Sequence, residues 1–168
     1  MTLSMYEVSV AVFSARLKAL SSVLSTAEQN AGERKIDPQV FLTARLAPDM
    51  FALTRQVQIA TDHAKGAPSR LAGREVPEYE DNEASFAELH ARIAKTLDHL
   101  ATFSAADLEG SDERIVEVRL GGREVSMAGL QYLLHLAMPN FYFHLTTAYD
   151  ILRHNGVPLG KATFLGSR

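Results

Sequence analysis

Apolar residues recur three and four positions apart in four separate stretches of the chain, and each stretch predicts an amphipathic helix. The first runs through Met5, Val8, Val12, Phe13, Leu17, Leu20 and Leu24. Ser4 stands where an N-cap belongs, and the polar run Glu28-Gln29-Asn30-Ala31-Gly32 predicts the helix end. Asp37-Pro38 predicts a capped short helix with proline in its first turn. Pro48 is a second such start. After it Met50, Leu53, Val57, Ala60 and Ala64 carry a long helix to about Lys65, and Gly66 and Pro68 end it. An acidic connection, Val76-Pro77-Glu78-Tyr79-Glu80-Asp81-Asn82, follows. Ser85 and Glu88 then have the spacing of a capping box, opening a stripe of Phe86, Leu89, Ile93, Leu97 and Leu100 that fades near Phe103.

The period then changes. Ile115, Val116, Val118 and Leu120, the pair Gly121-Gly122, and Val125 and Met127 predict two strands around a two-residue turn. A lone hairpin is marginal in water, so it must pack on the helices. The last long stripe is Leu130, Leu134, Ala137, Phe141, His144, Ala148 and Ile151, with Ser126 as a candidate cap, a kink expected at Pro139, and a stop at Asn155-Gly156 and Pro158. The final ten residues have no regular pattern. Four such stripes can be buried only against one another, which predicts an all-α four-helix bundle with a small β-hairpin before the last long helix, spanning residues 1–168 as a single domain.

Composition narrows the function classes. At 46% hydrophobic and 22% charged residues the chain is globular in character. Its net charge of −3 offers no attraction to nucleic acid or to an anionic membrane. The absence of cysteine excludes disulfides, thiolate metal sites and a cysteine nucleophile, and suits a cytoplasmic protein. The N-terminus lacks the basic region and apolar run of a signal peptide. The segment closest to a membrane span, from Leu130 to Ile151, is interrupted by His135, Asn140, His144 and Asp150.

Candidate chemistry centres on His144, which holds a stripe position among Leu, Ala, Phe and Ile and so must find a polar partner. Asn140 lies one turn earlier on the same face, so the two predict a shared inward-facing space. Whether His144 is a hydrogen-bonded core residue or a ligand or acid–base group stays open on spacing alone. His63 flanks the stripe of the second long helix, where Asp62 and Lys65 favour solvent; Gln56 and Gln58 are further polar groups there. His135 suggests an interface or loop contact, and His90, His99 and His154 read as surface residues. Tyr132, Tyr142 and Tyr149 could supply hydroxyls but have the spacing of packing residues. Glu78, Glu80 and Asp81 read as a solvated loop. There is no His-Glu-x-x-His motif, Walker loop, dinucleotide fingerprint or nucleophile elbow.

Two groups of residues carry a resemblance. The run Pro139-Asn140-Phe141-Tyr142-Phe143-His144, continued by the segment from Ala148 to Pro158, is one; Leu46-Ala47-Pro48-Asp49-Met50-Phe51, continued by Gln56 to Ala60 and Ala64-Lys65-Gly66, is the other. Together they resemble a bacterial family of unknown function within the DinB/YfiT-like superfamily, over nearly the whole chain. The resemblance implies an up-down-down-up four-helix bundle, a homodimer, and a divalent metal held by one histidine of the second helix and two, four apart, of the last. It also implies kinship with thiol-dependent transferases. On spacing to Leu152-Arg153 and Gly156, His144 matches the last ligand; the position four residues earlier is Asn140; for the second-helix ligand His63 is the nearest histidine, beside Gln58 and Thr61. Three expectations follow: zinc or nickel on His144 and His63, in a degenerate site or one joined by Asn140; a metal-free small-molecule pocket lined by His144, Asn140 and aromatics; or a purely structural polar cluster in a dimeric helical module.

Overall fold

A computed structural model describes residues 4–166; residues 1–3 and 167–168, the ends of the terminal segments considered above, lie outside it. The fold is mostly helical with one two-stranded antiparallel hairpin. A π-helical turn, Glu7–Ala11, runs into α1 (Val12–Arg34); α2 (Pro38–Leu42), α3 (Leu53–Leu71) and α4 (Phe86–Leu100) follow. After a 3₁₀ turn at Ala105–Leu108 come β1 (Ile115–Leu120), β2 (Arg123–Ala128), α5 (Gly129–Tyr132), a second π-helical turn at Leu133–Ala137, α6 (Met138–His154) and the single turn α7 (Lys161–Leu165). The long helices pack α1 on α4 and α6, and α3 on α4 and most extensively on α6. Phe13 of α1 meets Phe141 of α6 edge to face at 4.9 Å in the centre of the core, the arrangement the ring quadrupoles favour.

Three of the predicted caps hold, whereas the start expected at Pro48 does not, α3 beginning at Leu53. Asp37 accepts a hydrogen bond from the Gln39 amide (2.9 Å), Ser85 from the Glu88 amide (3.2 Å), and Ser4 from the Glu7 amide (3.4 Å). Gly121 and Gly122 both take positive φ, 55° and 84°, as a two-residue hairpin turn requires. Ser126 does not cap the last helical segment; it lies in β2, and Ala128 occupies the N-cap.

Two helix ends fall beyond the expected places, and one helix forms where none was expected. The first long helix continues through Asn30 and Ala31 to Arg34, because both residues are buried and Arg34 donates to the Asn30 side chain (3.2 Å); Lys35, at φ 54°, then ends it. Helix α3 passes through Gly66 and Pro68 to Leu71, burying Ala67, Ser69 and Leu71, while the Ser69 hydroxyl donates to the Lys65 carbonyl (2.8 Å). Burial of that extra turn outweighs the intrinsic cost of Gly and Pro in a helix, about 1 and 3 kcal/mol. Near the C-terminus, where no pattern was visible, α7 forms and Phe164 packs on Tyr149 at 5.5 Å.

The two π-helical turns shift the apolar stripes. Leu134, expected inside, is 48% exposed, whereas Leu133 and Ala137 are buried. At the other end Ser9 and Val10 are buried in place of Val8 and Val12. A π turn holds an extra residue, so it rotates the buried face by about one residue step. Pro139, expected to kink the helix, lies just past the π turn inside a helical run that is continuous from Gly129 to His154, since Ala137 and Met138 keep right-handed helical dihedrals.

Among the described helices it is Glu7–Arg34, not the segment from Leu130, that is long and apolar enough to cross a membrane by length and composition; in this fold its apolar side covers α4 and α6. The acidic connection is not a freely solvated loop. Arg92, its side chain 2% exposed, reaches from α4 to donate to the Glu80 carbonyl (3.0 Å) and pairs with Glu83 (2.9 Å) and Asp81 (3.1 Å), while also pairing with Asp62 of α3 (2.8 Å).

Candidate functional site

The extensive packing of α3 on α6 sets the polar residues of the two helices against each other. Gln56, His63 and Arg70 are spaced by seven along α3 and so share one of its faces. Opposite them stand Asn140 and His144 of α6.

His144 is buried, 9% exposed, and its Nδ1 lies 2.7 Å from Oε1 of Gln56. The Gln56 amide is itself oriented, because its Nε2 donates to the Phe51 carbonyl (3.0 Å). An amide oxygen accepts, so Nδ1 of His144 carries the proton and Nε2 keeps the lone pair when the ring is neutral. The His63 ring lies nearly parallel to that of His144, 14° between planes and 6.2 Å between centroids, and Phe143 stands edge-on to His144 at 5.2 Å. His63 is half-buried, not solvated as its neighbours suggested. Burial, reinforced by the nearby His144, pushes its pKa down to about 4, with Asp62 opposing. Burial and the Arg55 charge also lower that of His144.

Both rings are therefore neutral at physiological pH, with a consequence for stability. The unfolded chain titrates histidine near 6.5, so above that pH neither state holds the proton and stability is full. As pH falls from 6.5 towards 4, the unfolded chain takes up protons that folded His63 refuses, and stability declines. His63→Gln is expected to flatten the fall of melting temperature across that window. An acid slope identical to that of the parent protein would mean that position 63 titrates like a free imidazole.

Beside this pair is a cavity of ≈ 290 Å³, lined by His63 and Arg70 of α3, by Val118, Arg119 and Leu120 of β1, and by Tyr132, Leu136 and Asn140. His144 and Asn140 were expected to share one space. The imidazole that shares it with Asn140 is His63, and His144 stands behind, against Gln56. Asn140 donates to the Leu136 carbonyl (2.7 Å). Arg70 donates to the buried Tyr132 hydroxyl (3.4 Å). The seven-residue spacing on α3 was a usable sign of Arg70. Nothing in the sequence pointed to Arg119, which the hairpin carries in from a distant segment.

The remaining histidines have other places. His90 and His99, expected on the surface, are half-buried and bonded to the hydroxyls of Ser21 and Ser69, each at 2.9 Å. His135 and His154 are exposed. Tyr142 and Tyr149 pack against the core.

The donor set does not fit zinc or nickel. Such sites take three or four imidazole, thiolate or carboxylate ligands, and among the described residues no group of three His, Cys, Asp or Glu is placed so that it could hold a metal ion. Two imidazoles remain, with the Gln56 oxygen engaged by one of them and an amide at Asn140.

This helical fold, with a hairpin ahead of its last long helix, belongs to the DinB-like class of proteins. Within it the chain belongs to the domain-of-unknown-function family DUF1993, whose pattern matches residues 5–165. It is similar to the crystal structure of a DinB family member protein from Shewanella denitrificans, at 41% sequence identity and a TM-score of 0.90, over 98% of this chain and 93% of that one. Among curated proteins nothing matches the sequence.

Proposed function

We propose that this protein binds a small organic molecule without a metal, in the cavity between α3, the last helix and the hairpin, and that its four long helices form the up-down-down-up bundle of the superfamily. The observation that carries this reading is the pairing of a cavity with an incomplete ligand set. The space of ≈ 290 Å³ is bordered by His63, Arg70, Tyr132 and Asn140, while the histidines beside it number two. Ligand sites are typically concave and largely apolar, with a few convergent polar groups; Val118, Leu120 and Leu136 supply the apolar part here. The hydrogen bond from His144 to Gln56 then acts to hold the wall of the site, since Gln56 is itself tied to the Phe51 carbonyl.

Elemental analysis and thermal denaturation test the metal-free part. Protein exposed to zinc or nickel and then desalted is expected to hold far less than one equivalent. Its melting temperature should not rise with either metal, because only a species that binds the native state raises it. Stoichiometric metal retained by the parent protein and lost from His144→Ala would overturn this reading and favour a metal on His144 and His63, and with it the thiol-dependent transferase chemistry of the superfamily.

A further inference from the structure

We propose that the cavity recognises an oxyanion, a carboxylate or phosphate carried by its small-molecule ligand, through the Arg70 guanidinium with Tyr132, Asn140 and Arg119. The proposal rests on the metal-free reading above for its site and adds the class of ligand. Its first support is charge. The lining holds two arginines and no aspartate or glutamate. Arg55, Lys65, Arg74 and Arg92 all pair with carboxylates, whereas among the described residues neither Arg70 nor Arg119 does. A half-buried guanidinium whose hydrogen bonds include only one long contact, to a phenol oxygen, has donors to spare. Its planar fork matches a carboxylate or a phosphate in bidentate fashion.

The second support is how Arg70 is held. Its guanidinium folds back along α3 over Gly66, one turn earlier. A Cβ on Gly66 would fall well inside contact distance of the Arg70 NH1 nitrogen, so the absence of a side chain at 66 makes room for this rotamer. Glycine within a helix costs about 1 kcal/mol relative to alanine, and here it serves the placement of one cation. The third support is convergence. The Tyr132 hydroxyl accepts from Arg70 and keeps its own proton to donate, burial holding its pKa above the usual phenol value. Asn140 uses one N–H on the Leu136 carbonyl and has a second free. The π-helical turn Leu133–Ala137 lies between these two residues, and turns of this type recur at functional sites. Arg119 of β1, an exposed residue, also lines the cavity. At ≈ 290 Å³ the space sits at the lower edge of ligand pockets, about 300–1,000 Å³, which suits a compact molecule.

The test is calorimetric titration and thermal shift on the full chain, with inorganic phosphate in one arm and malonate in the other, against potassium chloride at matched ionic strength, all in EDTA. The parent protein is expected to bind at least one probe specifically; the responding arm assigns phosphate or carboxylate. Arg70→Gln should weaken that binding by on the order of tenfold or more, the usual scale for a hydrogen bond to a charged partner. Gly66→Ala should weaken it comparably while the melting temperature stays level or rises, since it displaces the guanidinium but improves the helix; it keeps the test meaningful if Arg70→Gln folds poorly. Arg119→Gln, at the exposed hairpin, should have a smaller effect of the same sign. Equal affinity in the parent and in Gly66→Ala and Arg70→Gln would reveal adventitious anion binding and overturn the proposal, as would the absence of binding in both arms. Because every arm contains EDTA, either result is independent of metal retention: a failed anion test leaves a metal-free site for an uncharged ligand, and a retained metal leaves the anion result standing.

Discussion

Arg92→Ala is expected to lower the melting temperature by roughly 6–20 °C. The side chain is 2% exposed and joins three carboxylates, Asp62, Asp81 and Glu83. It also donates to Thr61 Oγ1 at 2.7 Å and to the carbonyls of Glu80 and Gln58. Around it lie Arg55 against Asp81 and Lys65 against Asp62, so the cluster balances three cations with three anions. Removing Arg92 leaves Glu83, itself 9% exposed, without its cationic partner and with only the Gln58 amide to donate to it, and takes a donor from the Glu80 carbonyl. Breaking a buried pair from one side typically costs about 3–5 kcal/mol, and in a chain of this size each kcal/mol moves the midpoint by about 2–4 °C. The loss should concentrate in the segment 72–85, which has no helix or strand of its own and is tied to α4 by this guanidinium and to α3 by it together with Arg55 and Gln58. Limited proteolysis should therefore cut there first. Lysine in place of Arg92 should recover little, since one ammonium cannot replace a fork that spans Thr61, Glu83 and Asp62. A midpoint within about 2 °C of the parent protein, with the segment still resistant, would mean that the loop is held by other contacts.

Gly129→Ala should be nearly as damaging, with a fall of roughly 6–12 °C, corresponding to about 3 kcal/mol at the upper end of ordinary overpacking. Gly129 begins α5 directly after the hairpin, and the chain from 108 to 112 presses on it. A Cβ at 129 would overlap the Ser111 carbonyl oxygen and lie 2.8 Å from Leu71 Cδ2. The first obstacle is backbone, which cannot rotate away as a side-chain tip can. The Leu130 amide bonds to the Asp112 carbonyl at 2.9 Å, so the two segments cannot separate without losing that bond as well. Tyr132 lies three residues on, which ties the same junction to the cavity. Alanine at Gly32 in α1, where a Cβ meets nothing within 4 Å, is the matched control and should be neutral or stabilising. Equal effects at the two positions would show that backbone entropy, not steric overlap, governs both.

The contrast between these two glycines also shows where sequence logic runs out. Gly66, Gly121 and Gly129 look alike in a sequence. Gly121-Gly122 was legible because the turn is local: alternating strands on either side demand a two-residue link with positive φ. Gly66 looked like a helix terminator because propensity is also local, yet α3 runs five residues beyond it. What keeps the helix going is burial of Ala67, Ser69 and Leu71 against other segments, and no local rule contains that. The π-helical turns are a second instance. The stripe through Leu134 was drawn for an unbroken helix; the extra residue in Leu133–Ala137 exposes Leu134 and buries Leu133 instead. Pro139 was the visible sign of disturbance, but not of its form.

The site was legible to the same depth. His144 belonged on a buried face by spacing, and it is buried. Its partner Gln56 lies 88 residues away, a distance over which periodicity says nothing. His63 was assigned to solvent from its charged neighbours, but Asp62 and Lys65 turn to Arg92 and to each other, leaving His63 facing α6.

The amino-acid sequence by itself determined the four long helices and the hairpin, the caps at Asp37 and Ser85, the hairpin turn, and the burial of position 144, because each of these depends on the energetics of residues within a few turns of one another. The tertiary structure alone decided where helices α1 and α3 end, which imidazole faces the cavity, and that Arg70 and Arg119 both line it with no carboxylate in the lining. Those outcomes depend on which surfaces lose water together, and that is a property of helices packed side by side from segments far apart in the chain.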